Sequence, residues 1–206
     1  MARKSSSGRW LRRQERDPYV QKAQQEGWRS RAVYKLEELD QRNKLLQRGQ
    51  VVVDLGAAPG GWSQYAAQRV GDTGQVFALD LLDMDSLPGV EYIRGDFGDE
   101  AIYTELLTRM VERKADLVLS DMAPNISGNR SVDQPRAMHL AELALEFAGR
   151  ILDRDGAFVC KLFHGEGFDD FVRDCRRQFR QVRVRKPAAS RPASRETYLV
   201  ARTTRL

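Results

Sequence analysis

The feature that most constrains this chain is an alternation of short apolar runs with stretches of helical periodicity. Runs typical of buried strands lie at 50–55, 75–80, 90–94, 115–121, 157–163, 181–185 and 197–202. Helical patterns separate most of them, at 18–46, 62–70, 100–112, 135–152 and 168–179. Because strands that alternate with helices form parallel sheets covered on both faces, the sequence predicts an α/β fold with a doubly wound, mostly parallel sheet. A short Pro/Ser/Arg loop joins the last two runs, which predicts an antiparallel strand at one edge.

The length and the two ends of the chain predict one domain with an extension. A chain of 206 residues suits a single domain, and neither a repeat nor an interdomain linker is visible. Residues 1–16 are rich in Ser, Arg and Gly and predict a flexible basic arm, which leaves one domain at 17–206. Within the first helical stretch, Ser30 is the expected N-cap of a helix whose apolar face includes Val33, Leu36 and Leu39.

The charge pattern is compatible with an anionic partner. The formal net charge is +5, and one basic cluster lies in the arm. A second cluster near the other end consists of Arg176, Arg177, Arg180, Arg183, Arg185 and Lys186. If such clusters converge in space they form a nucleic-acid surface, and if they do not they are ordinary solubilising surface.

The remaining composition argues against several classes of protein. Two cysteines and two histidines, without metal-ligand spacing, predict neither a disulfide framework nor a metal site. No apolar stretch approaches the length needed to cross a membrane, and the N-terminus has no apolar signal region. We therefore expect a cytoplasmic protein with no metal and no membrane partner.

Residues 54–62 (DLGAAPGGW) follow a buried strand and open a helix, which is where an α/β sheet binds its ligand. Ala58 and Pro59 break the G-x-G-x-x-G spacing that places a dinucleotide pyrophosphate on a helix N-terminus. Asp80 ends the next strand 24 residues after Gly56, close to the position at which an acid binds a ribose, and Asp96 follows the third strand. These features favour an adenosine ligand without a pyrophosphate, such as S-adenosylmethionine. The alternative is that both aspartates only cap turns.

A lysine stands inside the apolar run at 157–163, where an ammonium needs a partner because unpaired burial is costly. Asp121, at the end of the preceding parallel strand, is the candidate partner of this Lys161. Lys35 and Glu196, taken singly, have the character of surface charges. Lys161 alone fits a structural ion pair as well as a functional group.

Six segments together resemble the FtsJ family of ribosomal RNA 2′-O-methyltransferases (FtsJ/RrmJ, also called RlmE). They are 30–36 (SRAVYKL), 53–64 (VDLGAAPGGWSQ), 120–125 (SDMAPN), 165–169 (GEGFD), 184–187 (VRKP) and 194–196 (SRE). The similarity runs from about Trp10 to Ala201. His164 stands where the family pattern has a Gln, but this position is not one of the family's catalytic residues.

The resemblance implies a Rossmann-like class I methyltransferase fold with S-adenosylmethionine as the cofactor. The family's Lys-Asp-Lys-Glu catalytic tetrad falls on Lys35, Asp121, Lys161 and Glu196. Its cofactor-binding residues fall on Gly60, Trp62, Asp80, Asp96 and Asp121. The implied reaction is 2′-O-methylation of a uridine in 23S ribosomal RNA, with the assembled large (50S) ribosomal subunit as partner, and we expect a monomer.

Such a reaction needs a base. The attacking hydroxyl must lose its proton as oxygen, methyl and sulfur are held in line. A lysine is a base only when neutral, a form that burial and a second ammonium favour and a carboxylate opposes. On this balance we expect Lys161 to be the base and Lys35 to orient the hydroxyl. Asp121 would hold the lysine and the amino-acid part of the cofactor, and Glu196 would help to position the substrate ribose.

Three other functions share part of these features. A methyltransferase of a base, a protein or a small molecule would use the same cofactor loop but would not need the two lysines. An RNA-binding or ribosome-assembly factor could keep the fold, although binding alone gives no reason to bury Lys161. A nicotinamide oxidoreductase would need the glycine spacing that this loop lacks.

Overall fold

The computed structural model describes residues 17–111 and 113–203. The predicted arm at 1–16 lies outside the described residues. The helices are α1 (Pro18–Gln25), α2 (Val33–Asn43), α3 (Gly61–Val70), α4 (Glu100–Arg109), α5 (Arg130–Ile151) and α6 (Phe168–Gln178). The strands are β1 (Val51–Leu55), β2 (Gln75–Asp80), β3 (Val90–Arg94), β4 (Ala115–Ser120), β5 (Leu152–Phe163), β6 (Gln181–Arg185) and β7 (Glu196–Arg202).

The seven strands form one sheet in the order β3-β2-β1-β4-β5-β7-β6. Strands β1 to β5 pair in parallel, whereas β7 runs antiparallel to both β5 and β6. One apolar cluster packs α1, α2 and α3 on one face, and a second packs α4, α5 and α6 on the other. The predicted doubly wound sheet with an antiparallel edge is confirmed.

Strand β1 shows why the sheet is covered on both sides. All five of its residues are buried, which a strand sandwiched between two helical layers requires. The side chains of Val51, Val53 and Leu55 join one apolar cluster, and that of Val52 joins the other. This alternation follows from the two-residue period of a strand. An apolar run without polar alternation therefore marks the centre of the sheet.

The strand order reverses between β1 and β4, and this point defines where a ligand can bind. Leu55 at the end of β1 pairs with Leu79 of β2 and with Ser120 of β4. The carboxyl ends of these three strands are thus level. The loops that follow β1, β2 and β4 consequently meet at one edge of the sheet.

Two local expectations were wrong. Helix α2 begins at Val33, and no side chain caps it; the oxygen of Ser30 that contacts its first turn is the backbone carbonyl, 3.3 Å from the nitrogen of Val33. Helix α5 begins at Arg130, five residues before the expected start at Pro135, because Asn129 caps it through a side-chain bond to the nitrogen of Ser131. Pro135 is the sixth residue of this helix, and because proline has no N–H it cannot donate to the carbonyl of Ser131.

Candidate active site

The loop after β1 packs closely against the loop after β4. Gly56 has φ +74°, and a Cβ atom on it would lie 2.5 Å from Cγ of Met122. Gly60, with φ +102°, caps α3, and a Cβ atom there would lie 2.9 Å from side-chain atoms of Met84 and Leu87. Only glycine fits both positions, because each needs a left-handed backbone and leaves no room for a side chain.

A cavity of about 460 Å³ opens at this edge of the sheet, within the size range of small-molecule sites. Its polar wall includes Asp80, Asp96, Asp121 and Asn125. The rest is formed by Gly56, Ala58, Leu79, Leu81, Leu82, Gly95, Phe97, Met122, Ala123, Pro124 and Leu140. A mostly apolar wall with a few carboxylates suits a nucleoside, which has a flat apolar base and hydroxyl donors.

Asp80 and Asp96 line this cavity and also order its loops. The carboxylate of Asp80 accepts hydrogen bonds from the nitrogens of Ala58 (2.9 Å) and Leu82 (2.8 Å). Asp96 accepts one from the nitrogen of Gly98 at 2.9 Å. Each carboxylate oxygen has two lone pairs, so Asp80 and Asp96 can accept these backbone hydrogen bonds and still accept one from a ligand.

Gly60 and Trp62 are not among the described residues that line the cavity. Trp62 is 3% exposed, and its indole Nε1 donates to the carbonyl of Ala32 at 2.8 Å. Its ring centroid lies 5.7 Å from that of Tyr198. Trp62 thus connects the cofactor loop with the end of the sheet that carries the lysines, and a direct contact of Gly60 or Trp62 with a cofactor stays a prediction.

The four residues of the expected tetrad come together in two ion pairs. The Nζ atom of Lys161 lies 3.1 Å from Oδ1 of Asp121 and donates to the carbonyl of that residue at 2.6 Å. The Nζ atom of Lys35 lies 2.8 Å from Oε1 of Glu196. All four side chains are at most 19% exposed. They come from α2, β5, the end of β4 and the start of β7.

A fifth residue, which the sequence reasoning missed, joins the two pairs. The hydroxyl of Tyr198 donates to Oδ1 of Asp121 at 2.7 Å and accepts from Nζ of Lys35 at 3.2 Å. Tyr198 pairs with Lys161 across β5 and β7, and Glu196 lies two residues before it on the same face. The sequence feature that could have identified Tyr198 is its position two residues after Glu196. We call Lys35, Asp121, Lys161, Glu196 and Tyr198 the catalytic cluster.

The electrostatics of this cluster favour an ionised carboxylate. Burial raises the pKa of Asp121, but the charges of Lys161 and Lys35 and the hydrogen bond from Tyr198 outweigh it, so the pKa lies below its ordinary value. Burial, together with the nearby carboxylates, holds the pKa of Tyr198 well above its ordinary value. Tyr198 therefore stays a neutral phenol that donates to Asp121.

A second buried carboxyl, Asp54 in β1, lies beneath the cofactor loop and was also missed. It is fully buried, and its Oδ2 atom accepts a hydrogen bond from Oγ of Ser63 at 2.6 Å. Among the described residues, its Oδ1 atom has no hydrogen-bond partner. Burial, with smaller effects from Asp121 and Asp80, raises the pKa of Asp54 to about 7.

The second basic cluster does not converge on one place. Arg185 pairs with Tyr198 near the catalytic end of the sheet, and Lys186 follows it. Arg176 and Arg177 lie in the last turn of α6, and Gln181 pairs with Arg202 at the opposite end of the strand. Only one end of the cluster is therefore near the lysines.

Asp17, the first described residue, is held by two arginines. Its Oδ2 atom is 3.3 Å from Nε of Arg31 and 3.4 Å from Nη2 of Arg191. Arg31 precedes the helix that carries Lys35, and Arg191 lies in the loop before Glu196. Asp17 is therefore anchored to the two segments that lead into these residues of the catalytic cluster.

Within residues 17–111 and 113–203, no group of three potential ligands could hold a metal ion. The same part of the chain has no helix with the length and apolar character of a membrane span.

The fold and the site define a Rossmann-like α/β domain with a cavity of small-molecule size beside a pair of largely buried lysines. Residues 28–204 match the family model of the FtsJ-like methyltransferases. The chain belongs to this family, and it is a methyltransferase that requires a methyl donor.

Individual relatives extend over almost the whole chain. It is 58% identical over 200 residues to the ribosomal RNA large subunit methyltransferase E of Alkalilimnicola ehrlichii, covering 97% of this chain and 96% of the relative. It is 59% identical over 196 residues to the protein of the same name from Stenotrophomonas maltophilia, covering 95% and 93%. A crystal structure of a Plasmodium falciparum protein described as a ribosomal RNA methyltransferase superposes with a TM-score of 0.77 at 27% identity, over 85% of this chain and 97% of that one.

Proposed function

We propose that this protein transfers the methyl group of S-adenosylmethionine to the 2′-hydroxyl of a uridine ribose in 23S ribosomal RNA. The observation that carries the proposal is the catalytic cluster, in which two lysines, each paired with a carboxylate, lie at the same sheet edge as a cavity of nucleoside size. The names of the two bacterial relatives support the large-subunit RNA as substrate. We propose the assembled large subunit as the partner of a monomeric, cytoplasmic enzyme.

The residues around the cavity fit S-adenosylmethionine. Gly56 leaves the floor of the cavity open, because a side chain there would collide with Met122. Asp80 would accept hydrogen bonds from the ribose hydroxyls, and Asp96 from the adenine amino group. Asp121, which lines the cavity and belongs to the catalytic cluster, would hold the amino-acid part. Bound there, the cofactor supplies an electrophilic methyl group on a sulfonium.

Lys161 is the proposed proton acceptor. Its Nζ atom has three positions for hydrogen bonds, and Asp121 fills two of them. One position remains for the 2′-hydroxyl of the substrate. In its neutral form Lys161 accepts the hydroxyl proton while the oxygen attacks the methyl carbon.

The second ion pair orients the substrate. Lys35 uses two of its positions on Glu196 and Tyr198, and it has one left to donate to the ribose or to the developing oxyanion. Tyr198 fixes the distance between the two pairs, because it bonds both Asp121 and Lys35. Glu196 holds Lys35 and helps to position the ribose.

The reaction itself selects RNA, since DNA has no 2′-hydroxyl. Phosphate contacts then hold the strand in register. Arg185 and Lys186 are exposed at the catalytic end of the edge strand and are placed to supply such contacts.

Labelled S-adenosylmethionine and large ribosomal subunits from a strain that lacks the corresponding enzyme test the proposal. We expect one methyl group per subunit, on the 2′-oxygen of a uridine in 23S RNA. Naked 23S RNA in a parallel reaction tests the preference for the assembled subunit. A methyl group on a base or on a ribosomal protein would contradict the proposal, and the K161A variant is the negative control.

A further inference from the structure

Two adjacent polar residues near the start of α5 have no role in the mechanism above. Asp133 and Gln134 are only 8% and 7% exposed. Buried polar side chains need hydrogen-bond partners, and the carboxylate of Asp133 and the amide nitrogen of Gln134 find them in different loops. The amide oxygen Oε1 of Gln134 has no partner among the described residues. One loop follows β4 and begins after Asp121, and the other follows β5 and lies just after Lys161.

Asp133 holds the loop after β4. Its Oδ1 atom accepts hydrogen bonds from the nitrogen and Oγ of Ser127, at 2.9 and 2.8 Å. Its Oδ2 atom accepts one from the nitrogen of Gly128 at 2.9 Å. The backbone hydrogen bond from Ser127 leads the effects that, against the cost of burial, lower the pKa of Asp133. The charged carboxylate therefore organises the loop whose first part, Met122 to Asn125, lines the cavity.

Gln134 holds the loop after β5. Its amide Nε2 donates to the carbonyls of Phe163 (3.1 Å) and Glu166 (3.0 Å). Gly165 lies directly against this amide, and a Cβ atom on it would be 2.7 Å from Cδ of Gln134. Phe163 is two residues after Lys161 in the same strand, so the amide fixes the end of the strand that carries the proposed base.

From these contacts we infer that Asp133 and Gln134 are positioning residues that hold the two loops of the active site against one turn of α5. They are consecutive residues of α5, so one turn of this helix is hydrogen-bonded both to the loop after β4 and to the end of β5. The Lys161–Asp121 pair spans the same two elements. Asp133 acts on binding of the methyl donor, and Gln134 acts on the alignment of Lys161. This inference rests on the proposed function.

The Asp133 half is tested by calorimetry with S-adenosylmethionine. D133N replaces one acceptor oxygen by an amide that faces hydrogen-bond donors, so we expect the Kd to rise about tenfold. S127A removes one of the three bonds to Asp133, together with the bond from the nitrogen of Asn129 to Oγ of Ser127, so it should raise the Kd by a smaller factor. The matched control D72N makes the same change at an exposed loop position and should bind like wild type. A partly unfolded population would itself raise the apparent Kd, so a thermal melt first checks that each variant is folded at the temperature of the calorimetry. A Kd that rises only in a variant that is partly unfolded at that temperature would count against positioning.

The Gln134 half is tested by single-turnover kinetics on large ribosomal subunits at saturating cofactor. Q134E places an oxygen against two carbonyl oxygens, and we expect the rate to fall about tenfold while the Kd for the cofactor stays unchanged. Q134M keeps the length of the side chain but has no hydrogen-bond donor, so its single-turnover rate should also be lower than that of wild type. The matched control Q178E lies at the exposed end of α6 and should keep the wild-type rate.

The outcomes separate this inference from the proposed function. Wild-type Kd in D133N and S127A, or wild-type rates in Q134E and Q134M, would overturn the inference while an active wild-type enzyme leaves the function standing. An inactive wild-type enzyme that binds the cofactor would instead contradict the function. In that case the calorimetric series still decides whether Asp133 positions the cavity loop.

Discussion

Two aspartates at the same edge of the sheet, Asp54 in β1 and Asp121 just after β4, have opposite electrostatic surroundings. Asp54 is fully buried, accepts a hydrogen bond from the hydroxyl of Ser63 and forms no ion pair within the described part of the chain, and burial raises its pKa to about 7. Asp121 is only partly buried, and Lys161, Lys35 and Tyr198 lower its pKa. Of the two aspartates, Asp121 is the one that faces the lysines of the site.

This difference indicates how negative charge is distributed between the two aspartates. Asp54, Asp80 and Asp121 lie close enough that the other two raise the pKa of Asp54. With its pKa raised to about 7, Asp54 carries only part of a negative charge at neutral pH, whereas Asp80 and Asp121 line the cavity. In the proposed function, Asp54 supports the cofactor loop and Asp121 takes part in the chemistry. Substitutions in the site test this assignment of roles to Asp54 and Asp121.

Replacement of Lys161 should have the largest effect, on the chemical step alone. We expect K161A to slow single turnover by about 100- to 10,000-fold, the usual contribution of a general base. K161R should be as slow, because a guanidinium keeps the charge but cannot be deprotonated at working pH. Calorimetry on the folded variants should show that S-adenosylmethionine still binds.

The arginine variant decides between two roles of this lysine. A residue that acts only through its charge should keep much of its rate as arginine. A K161R rate within a few-fold of wild type would therefore remove Lys161 as the proton acceptor, and Lys35 would take its place. With either lysine as the proton acceptor, Asp121 would still be the ionised aspartate, in contrast to Asp54.

Asp54 should control the pH dependence of stability rather than the rate. The unfolded carboxyl ionises near pH 4, but the folded one stays neutral up to about pH 7, so stability falls as the pH rises between these values. The loss is at most about 4 kcal/mol at 1.36 kcal/mol per pKa unit. Urea denaturation from pH 4 to 8 should show a flatter profile for D54N than for wild type.

The exposed Asp72 provides the control for this measurement. D72N makes the same chemical change and should keep the wild-type pH profile. Asp121 gives the opposite sign: its lowered pKa contributes stability above pH 4 that disappears as the pH falls through the folded pKa. Equal slopes for D54N and wild type would show that Asp54 is ionised in the folded protein.

The sequence predicted the strands of this sheet because apolar runs and turn residues are local signals. It also led to Asp121 and Lys161, since consecutive parallel strands end at the same edge. It did not single out Tyr198, because β7 is buried over most of its length and an aromatic residue in such a strand is typical of a core; its two-residue spacing from Glu196 places it on the same face of the strand. Asp54 was missed for a related reason: its pKa depends on the depth of burial and on two acids that are distant in sequence.

Tyr198 provides the next test, because it is the only residue that contacts both ion pairs among the described hydrogen bonds. Y198F keeps the ring and removes the hydroxyl. We expect the single-turnover rate to fall about tenfold or more, since hydrogen bonds to charged groups contribute about 1.5–3 kcal/mol. An unchanged rate would show that the two pairs are aligned without their bridge.

Asp80 tests the cofactor side of the comparison. D80A removes the acceptor for Ala58 and Leu82 together with the proposed contact to the ribose hydroxyls. Calorimetry should show an affinity for S-adenosylmethionine at least about tenfold weaker, with the thermal transition still cooperative. Wild-type affinity in D80A would mean that Asp80 only shapes the loop.

The smallest effect is expected from the arm, which should change RNA affinity without touching either aspartate. Residues 1–16 carry six basic residues, and Asp17, which follows them, contacts Arg31 and Arg191. Each phosphate contact on single-stranded RNA contributes a slope of about −0.7 to log affinity against log salt. Deletion of residues 1–16 should therefore flatten this plot, by up to about four units if all six residues bind phosphate.

The salt plot distinguishes the arm from the rest of the basic surface. An R185A/K186A double variant, which alters the catalytic end of β6, should flatten the slope by about one unit and should add to the deletion. Calorimetry with S-adenosylmethionine should give the wild-type Kd for both variants, because both leave every described residue of the cavity wall unchanged. An unchanged slope after deletion would assign the RNA contacts to the folded domain alone, and the arm would then be ordinary solubilising surface.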